Sequence, residues 1–162
     1  MKELLDKISS YNLFNYLLPG TLLVVILDKF MIYSFVQDNL AVDVFVYYFI
    51  GLVISRVGSL VIDPLLKKIS FLRFAPYEEF VSASKKDSKI EILSEVNNMY
   101  RTLCSMFVLI LLFLVYRSLV LRFSILKYGS PYTVVFILLI MFLFSYRKQS
   151  EYITKRIKAN NL

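Results

Sequence analysis

Four stretches of this 162-residue chain are apolar and long enough to cross about 30 Å of hydrocarbon, and no other feature narrows its fold as much. They cover residues 13–36, interrupted by Asp28 and Lys29; 44–62, holding Arg56; 103–121, holding Arg117; and 130–146, whose apolar run begins at Tyr132. A helix closes its backbone hydrogen bonds within itself, so such stretches predict an all-α polytopic membrane protein with four transmembrane helices. Composition agrees. Hydrophobic residues make up 58% of the chain and mean hydropathy is +0.65, above the range of soluble domains. No small-x-small cleavage site follows the first stretch, where Asp28-Lys29-Phe30 stands, so it is expected to stay in the mature chain.

Charge placement predicts the orientation. Lys2 and Lys7 precede the first span. Lys67, Lys68, Arg73, Lys85, Lys86, Lys89 and Arg101 fall in the central loop, 63–102. Arg147, Lys148, Lys155, Arg156 and Lys158 fall in the tail, 147–162. The opposite side carries only Arg122 and Lys127, with Asp38 and Asp43 at its short turn. The positive-inside rule therefore puts both termini and the central loop in the cytoplasm. Tyrosines near the span ends, among them Tyr16, Tyr47, Tyr100, Tyr132 and Tyr146, suit interfacial anchors.

The same composition argues against an enzyme. With no histidine, the usual general base and His-ligated metals are missing. A single cysteine, Cys104, makes neither an intrachain disulfide nor a thiolate cage. No phosphate-cradling glycine motif appears among four glycines. No catalytic residue, metal or cofactor is expected.

Three groups of residues stand out within the spans. At about 1.5 Å per residue from the cytoplasmic edge, Asp28 lies about 22 Å up and Arg117 about 21 Å, while Arg56 lies only about 9 Å up. Shared depth predicts an Asp28–Arg117 ion pair between spans one and three; otherwise Lys29 and Arg117 reach the outer headgroups while Asp28 meets water. Arg56 suits an inner-leaflet position or a partnership with Asp63. Gly51, Ser55 and Ser59, with Gly58 beside them, form a small-residue stripe for close helix packing, within the chain or between subunits. Asn12 and Asn15 precede Pro19-Gly20, where a kink is expected. The asparagines read either as interfacial polarity or as interhelical hydrogen-bonding groups.

Outside the spans, Leu4, Leu5 and Ile8 share one face of a short interfacial helix over 2–8, which Ser9 or Ser10 would separate from the first span by capping it. Residues 71–77 are aromatic and basic and suit the headgroup region, and 84–88 reads as a turn. Ser88 and Glu91 have capping-box spacing, and neither Pro nor Gly interrupts 88–122. That predicts one helix of about 35 residues, about 52 Å long, extending the third span into the cytoplasm. Its first turns carry Ile90, Leu93, Val96 and Tyr100 at helical spacing. This stripe either docks a partner or packs on residues 67–77 of its own chain. The basic tail favours anionic lipid over nucleic acid, and no direct nucleic-acid contact is expected.

Two segments, Ser9-Ser10-Tyr11-Asn12-Leu13-Phe14-Asn15-Tyr16-Leu17-Leu18-Pro19-Gly20 and Gly51-Leu52-Val53-Ile54-Ser55-Arg56-Val57-Gly58-Ser59-Leu60, together with length and four spans, resemble the KwaA family, the membrane component of the Kiwa anti-phage defence system. The resemblance implies a homo-oligomer, a tetramer, in the bacterial inner membrane. It also implies a sensor and scaffold that holds a soluble cytoplasmic DNA-acting effector (KwaB-like). It carries over no catalytic residue. A small oligomeric pore or channel is the alternative reading, and a small drug exporter a weaker third.

Overall fold

The computed structural model describes residues 12–30, 39–123 and 125–160, with the backbone alone for 125–131. A π-helical turn, Leu13–Leu17, opens α1 (Leu18–Phe30). Helix α2 (Leu40–Val57) runs through a second π-turn, Gly58–Ile62, into α3 (Asp63–Lys68). Then come α4 (Tyr77–Lys86), α5 (Lys89–Arg122) and α6 (Ile125–Asn160). Among the described residues four helices are long and apolar enough to cross a membrane: Leu13–Phe30, Leu40–Lys68, Lys89–Arg122 and Tyr132–Asn160. The all-α class and the four expected stretches hold. The interfacial segment 2–8, the Ser9 or Ser10 cap, and residues 31–38 at the end of the first stretch lie outside the described residues.

Boundaries shift where local chemistry overrides hydropathy. Helix α2 starts four residues early because the Asn39 side chain accepts hydrogen bonds from the amides of Ala41 (3.0 Å) and Val42 (3.5 Å). Helix α5 is 34 residues long, as its uninterrupted sequence predicts, but Ser88 does not cap it. Asp87 does, its Oδ1 accepting from Lys89 N at 2.9 Å. The central segment is more helical than expected. Residues 77–86 form α4, so the turn predicted at 84–88 is confined to its last part. The tail is helical as well, continuing α6 to Asn160. Helix α3 ends in a Schellman pair, Phe71 N to the Leu66 carbonyl and Ser70 N to the Lys67 carbonyl, both 3.0 Å. Ser70 takes the left-handed position there (φ 58°), where glycine is usual.

Both π-turns have one cause. The residue before a proline donates five residues back: Leu18 N to the Leu13 carbonyl, and Asp63 N to the Gly58 carbonyl. Pro19 and Pro64 follow with no N–H to give. The disturbance expected at Pro19 thus takes the form of a widened turn, and the same device recurs at Pro64.

The core lies between α1, α2 and α5, where Leu23, Leu27, Ile54, Met106 and Ile110 pack together. Helices α1 and α2 cross at two glycines. A Cβ at Gly51 would strike the carbonyl of Tyr16, and one at Gly20 the carbonyl of Tyr47. Each clash partner lies four residues before the opposite glycine, so the contact is a near-symmetric exchange between Tyr16–Gly20 and Tyr47–Gly51. Tyr16 and Tyr48 meet edge to face beside it, ring centroids 5.5 Å apart. Helix α6 lies outside this trio, touching α2, α4 and α5. Phe49 and Phe142 stack at 6.1 Å and Tyr77 meets Tyr152 at 5.9 Å.

Candidate functional site: a polar layer at the basic end of the bundle

Small and polar residues from every long helix gather near the two π-turns. Asn15, within the first, is 1% exposed, and Thr102 and Ser105 on α5 are fully buried. Thr102 Oγ1 lies 2.8 Å from Asn15 Oδ1 and 2.8 Å from the Asn98 carbonyl. A hydroxyl has one hydrogen and serves one of these acceptors at a time. With the Asn15 carboxamide turned over, Nδ2, otherwise without a partner, donates to Thr102 while Thr102 donates to Asn98. Of the two readings of Asn15, the interhelical hydrogen bond is the one observed.

The second π-turn organises the rest of the layer. Within an α-helix the Ser59 carbonyl would take the Asp63 amide, but that amide goes to Gly58, and Pro64 has none to offer. Lys148 of α6 supplies the missing donor. Its Nζ lies 2.5 Å from the Ser59 carbonyl and 2.7 Å from Ser59 Oγ, and 5.9 Å from the Tyr152 ring. A charged donor on an orphaned carbonyl is worth more than a neutral one, about 1.5–3 kcal/mol. Asp63, just past the turn, pairs with Arg101 of α5 at 3.1 Å, both side chains mostly buried. Ser105 packs where a Gly58 Cβ would stand, 2.6 Å from its Oγ, and returns its own hydrogen to the Arg101 carbonyl at 2.7 Å.

Several expectations change here. The small-residue stripe is consumed within the chain: Gly51 on Tyr16, Ser55 fully buried, Gly58 on Ser105 and Arg101, Ser59 on Lys148. Ser55→Leu would therefore damage the fold of one chain before it touched any contact between subunits. Asp63 belongs to Arg101 rather than to Arg56, which is half-buried with Nε unpartnered. The predicted Asp28–Arg117 pair does not form. Arg117 donates to the backbone carbonyl of Phe30, and Asp28 is exposed. Arg117 does reach within two residues of Asp28, but its guanidinium goes to a backbone carbonyl rather than to the carboxylate.

The residues expected to dock a partner divide. Leu93 and Tyr100 are exposed by 66% and 60%, Val96 is exposed, and Ile90 is half-buried. Residues 67–77 do not cover them; Lys67 instead folds back over the Phe74 ring at 4.2 Å. Helix α4 contacts both α5 and α6, burying Val81, and makes with them a three-helix extension beyond the apolar runs. The pairings of Asn15, Asp63 and Lys148 were not read from sequence. The only signal was polar residues beside prolines and a Tyr-x-x-x-Gly spacing that occurs twice. Among the described residues no three His, Cys, Asp or Glu side chains converge to hold a metal ion. Compared with protein-family models, curated proteins and solved structures, the chain shows no match to any of them.

Proposed function

We propose that this chain is a non-enzymatic membrane scaffold and sensor subunit of a bacterial anti-phage defence system, recruiting a soluble cytoplasmic effector. It does so as a homo-oligomer, a tetramer by family resemblance, in the inner membrane with both termini inside. One observation carries the reading: the first turns of α5 leave Leu93, Val96 and Tyr100 uncovered on a helical extension that α4 and α6 brace. Exposed apolar side chains on a rigid, basic support suit a protein partner, with charge setting its orientation. The basic loop and tail also favour anionic lipid at the inner face.

Leu93→Asp with Val96→Ser tests it, because docking would bury an unpaired carboxylate. Effector pull-down is expected to fail while insertion and assembly persist. A second reading, an oligomeric pore, draws on Arg56, whose Nε has no partner. Intact pull-down, with liposome flux that depends on Asp28 or Arg56, overturns the scaffold in favour of the pore.

A further inference from the structure

Helices α2 and α6 diverge enough to leave a groove of about 490 Å³ walled by Val57, Leu60, Val61, Phe136, Ile140 and Phe144. Leu60 and Phe144 also line a second hollow of about 330 Å³, where Ser59, Arg147, Lys148 and Glu151 replace the apolar wall. The two adjoin at Leu60 and Phe144, so the open groove is apolar along the spans and cationic where the apolar run of α6 ends. We propose that these adjoining grooves seat one anionic phospholipid, an acyl chain along the apolar wall and the phosphate at Arg147 and Lys148.

The donors at the polar end support that occupant. Lys148 spends two ammonium hydrogens on Ser59 and keeps a third. Arg147 gives only Nε to Glu151, at 3.2 Å, and its two terminal amino groups stay available for a bidentate phosphate contact. Glu151 cancels one of the two cations, leaving the hollow with one net positive charge. An anionic headgroup matches that charge, whereas a zwitterionic one adds its own cation to it. An apolar helix from a second copy would fill the groove but leave both cations at its mouth without an anion. Free phosphate would meet the cations but leave the apolar wall empty. The site is independent of effector recruitment.

Native mass spectrometry of the full chain, released from mild detergent with added phosphatidylglycerol or phosphatidylcholine, provides the test. One phosphatidylglycerol per chain is expected to outlast phosphatidylcholine. Arg147→Gln, on an exposed side chain that leaves the Ser59 contact intact, should weaken phosphatidylglycerol retention roughly fivefold, the effect of about one charge near a membrane surface. Ile140→Trp should fill the groove and lower retention of both lipids, with the oligomer unchanged. Equal retention of the two lipids by the wild type overturns the proposal. So does unaltered retention in either variant, displacement by millimolar inorganic phosphate alone, or dissociation of an oligomer by Ile140→Trp.

Discussion

Helices α1, α2 and α5 on one side, and α6 on the other, represent two ways of holding a membrane helix. The trio is joined by backbone crossings that only glycine permits, by a buried Asn15–Thr102 bond and by the Asp63–Arg101 pair. A third of the first spanning window is buried inside the chain, against 6% of the fourth. Helix α6 keeps Leu139, Leu143 and Tyr146 outward and leans on one lysine, an aromatic stack and α4. Lipid is as apolar as a leucine side chain, so burial alone does not hold spans together; close packing and hydrogen bonds do. The trio has both, and α6 has few of either.

The largest break in this contrast should come from Gly51→Leu or Gly20→Leu. A bulky side chain meets backbone there, and backbone cannot rotate away, so a loss of more than about 4 kcal/mol is expected. Thermal unfolding in detergent would register it, with Gly58→Ala as the mild comparison because the atom it approaches is the rotatable Ser105 hydroxyl. A Gly51→Leu protein as stable as wild type would show that the crossing is not what binds α1 to α2.

Asp63→Ala should come next, at about 3 kcal/mol, because it strands Arg101 at a site with little water. Arg101→Ala added to it should restore part of the loss, and a double-mutant cycle with no coupling would remove the pair from the account.

Lys148→Met separates the two regions most cleanly. It should cost about 1.5–3 kcal/mol, spent almost entirely on loosening α6. Hydrogen exchange should then rise along α6 and stay low in α1, α2 and the membrane part of α5. Uniform loosening of all four helices would mean that α6 is as integral as the trio. The smallest effect is a gain: Ser70→Gly relieves a left-handed residue outside both regions and should stabilise by up to about 1 kcal/mol. Chemical denaturation would detect it as a shifted midpoint without change in slope.

Length and hydropathy made the spans legible, and an unbroken stretch without Pro or Gly made α5 legible nearly to the residue. Those are local properties. Helix α4 was missed because Tyr77–Lys86 is short and polar overall, although Tyr77, Phe80, Val81 and Ser84 recur at helical spacing and form the face that packs inward. Asp63 was considered only as a partner for Arg56, close in sequence, while Arg101, 38 residues away, holds it. Gly51 was identified as a packing residue without its counterpart Gly20, which was read only as part of a proline kink. Asp28 and Arg117 were expected to pair because they share a depth, yet depth alone does not choose between a carboxylate and the Phe30 carbonyl that Arg117 takes. In each case the residue type was readable and the partner was set by tertiary geometry.

The proline-led turn at Gly58–Ile62 also bears on direction. An α-helix advances about 100° per residue, so one extra residue in a turn rotates everything beyond it by about that angle. Ser55, before the turn, points into the core, whereas Ser59 and Asp63 address two different neighbours, Lys148 and Arg101. The widened turn therefore works as a phase shifter, letting one continuous rod serve three partners with a single spacing of four. Removing one residue from it, a change that ordinarily scrambles a helix, would let the turn close as plain α-helix with Asp63 still facing α5, whereas closing it with every residue kept would swing Asp63 about 100° away from Arg101.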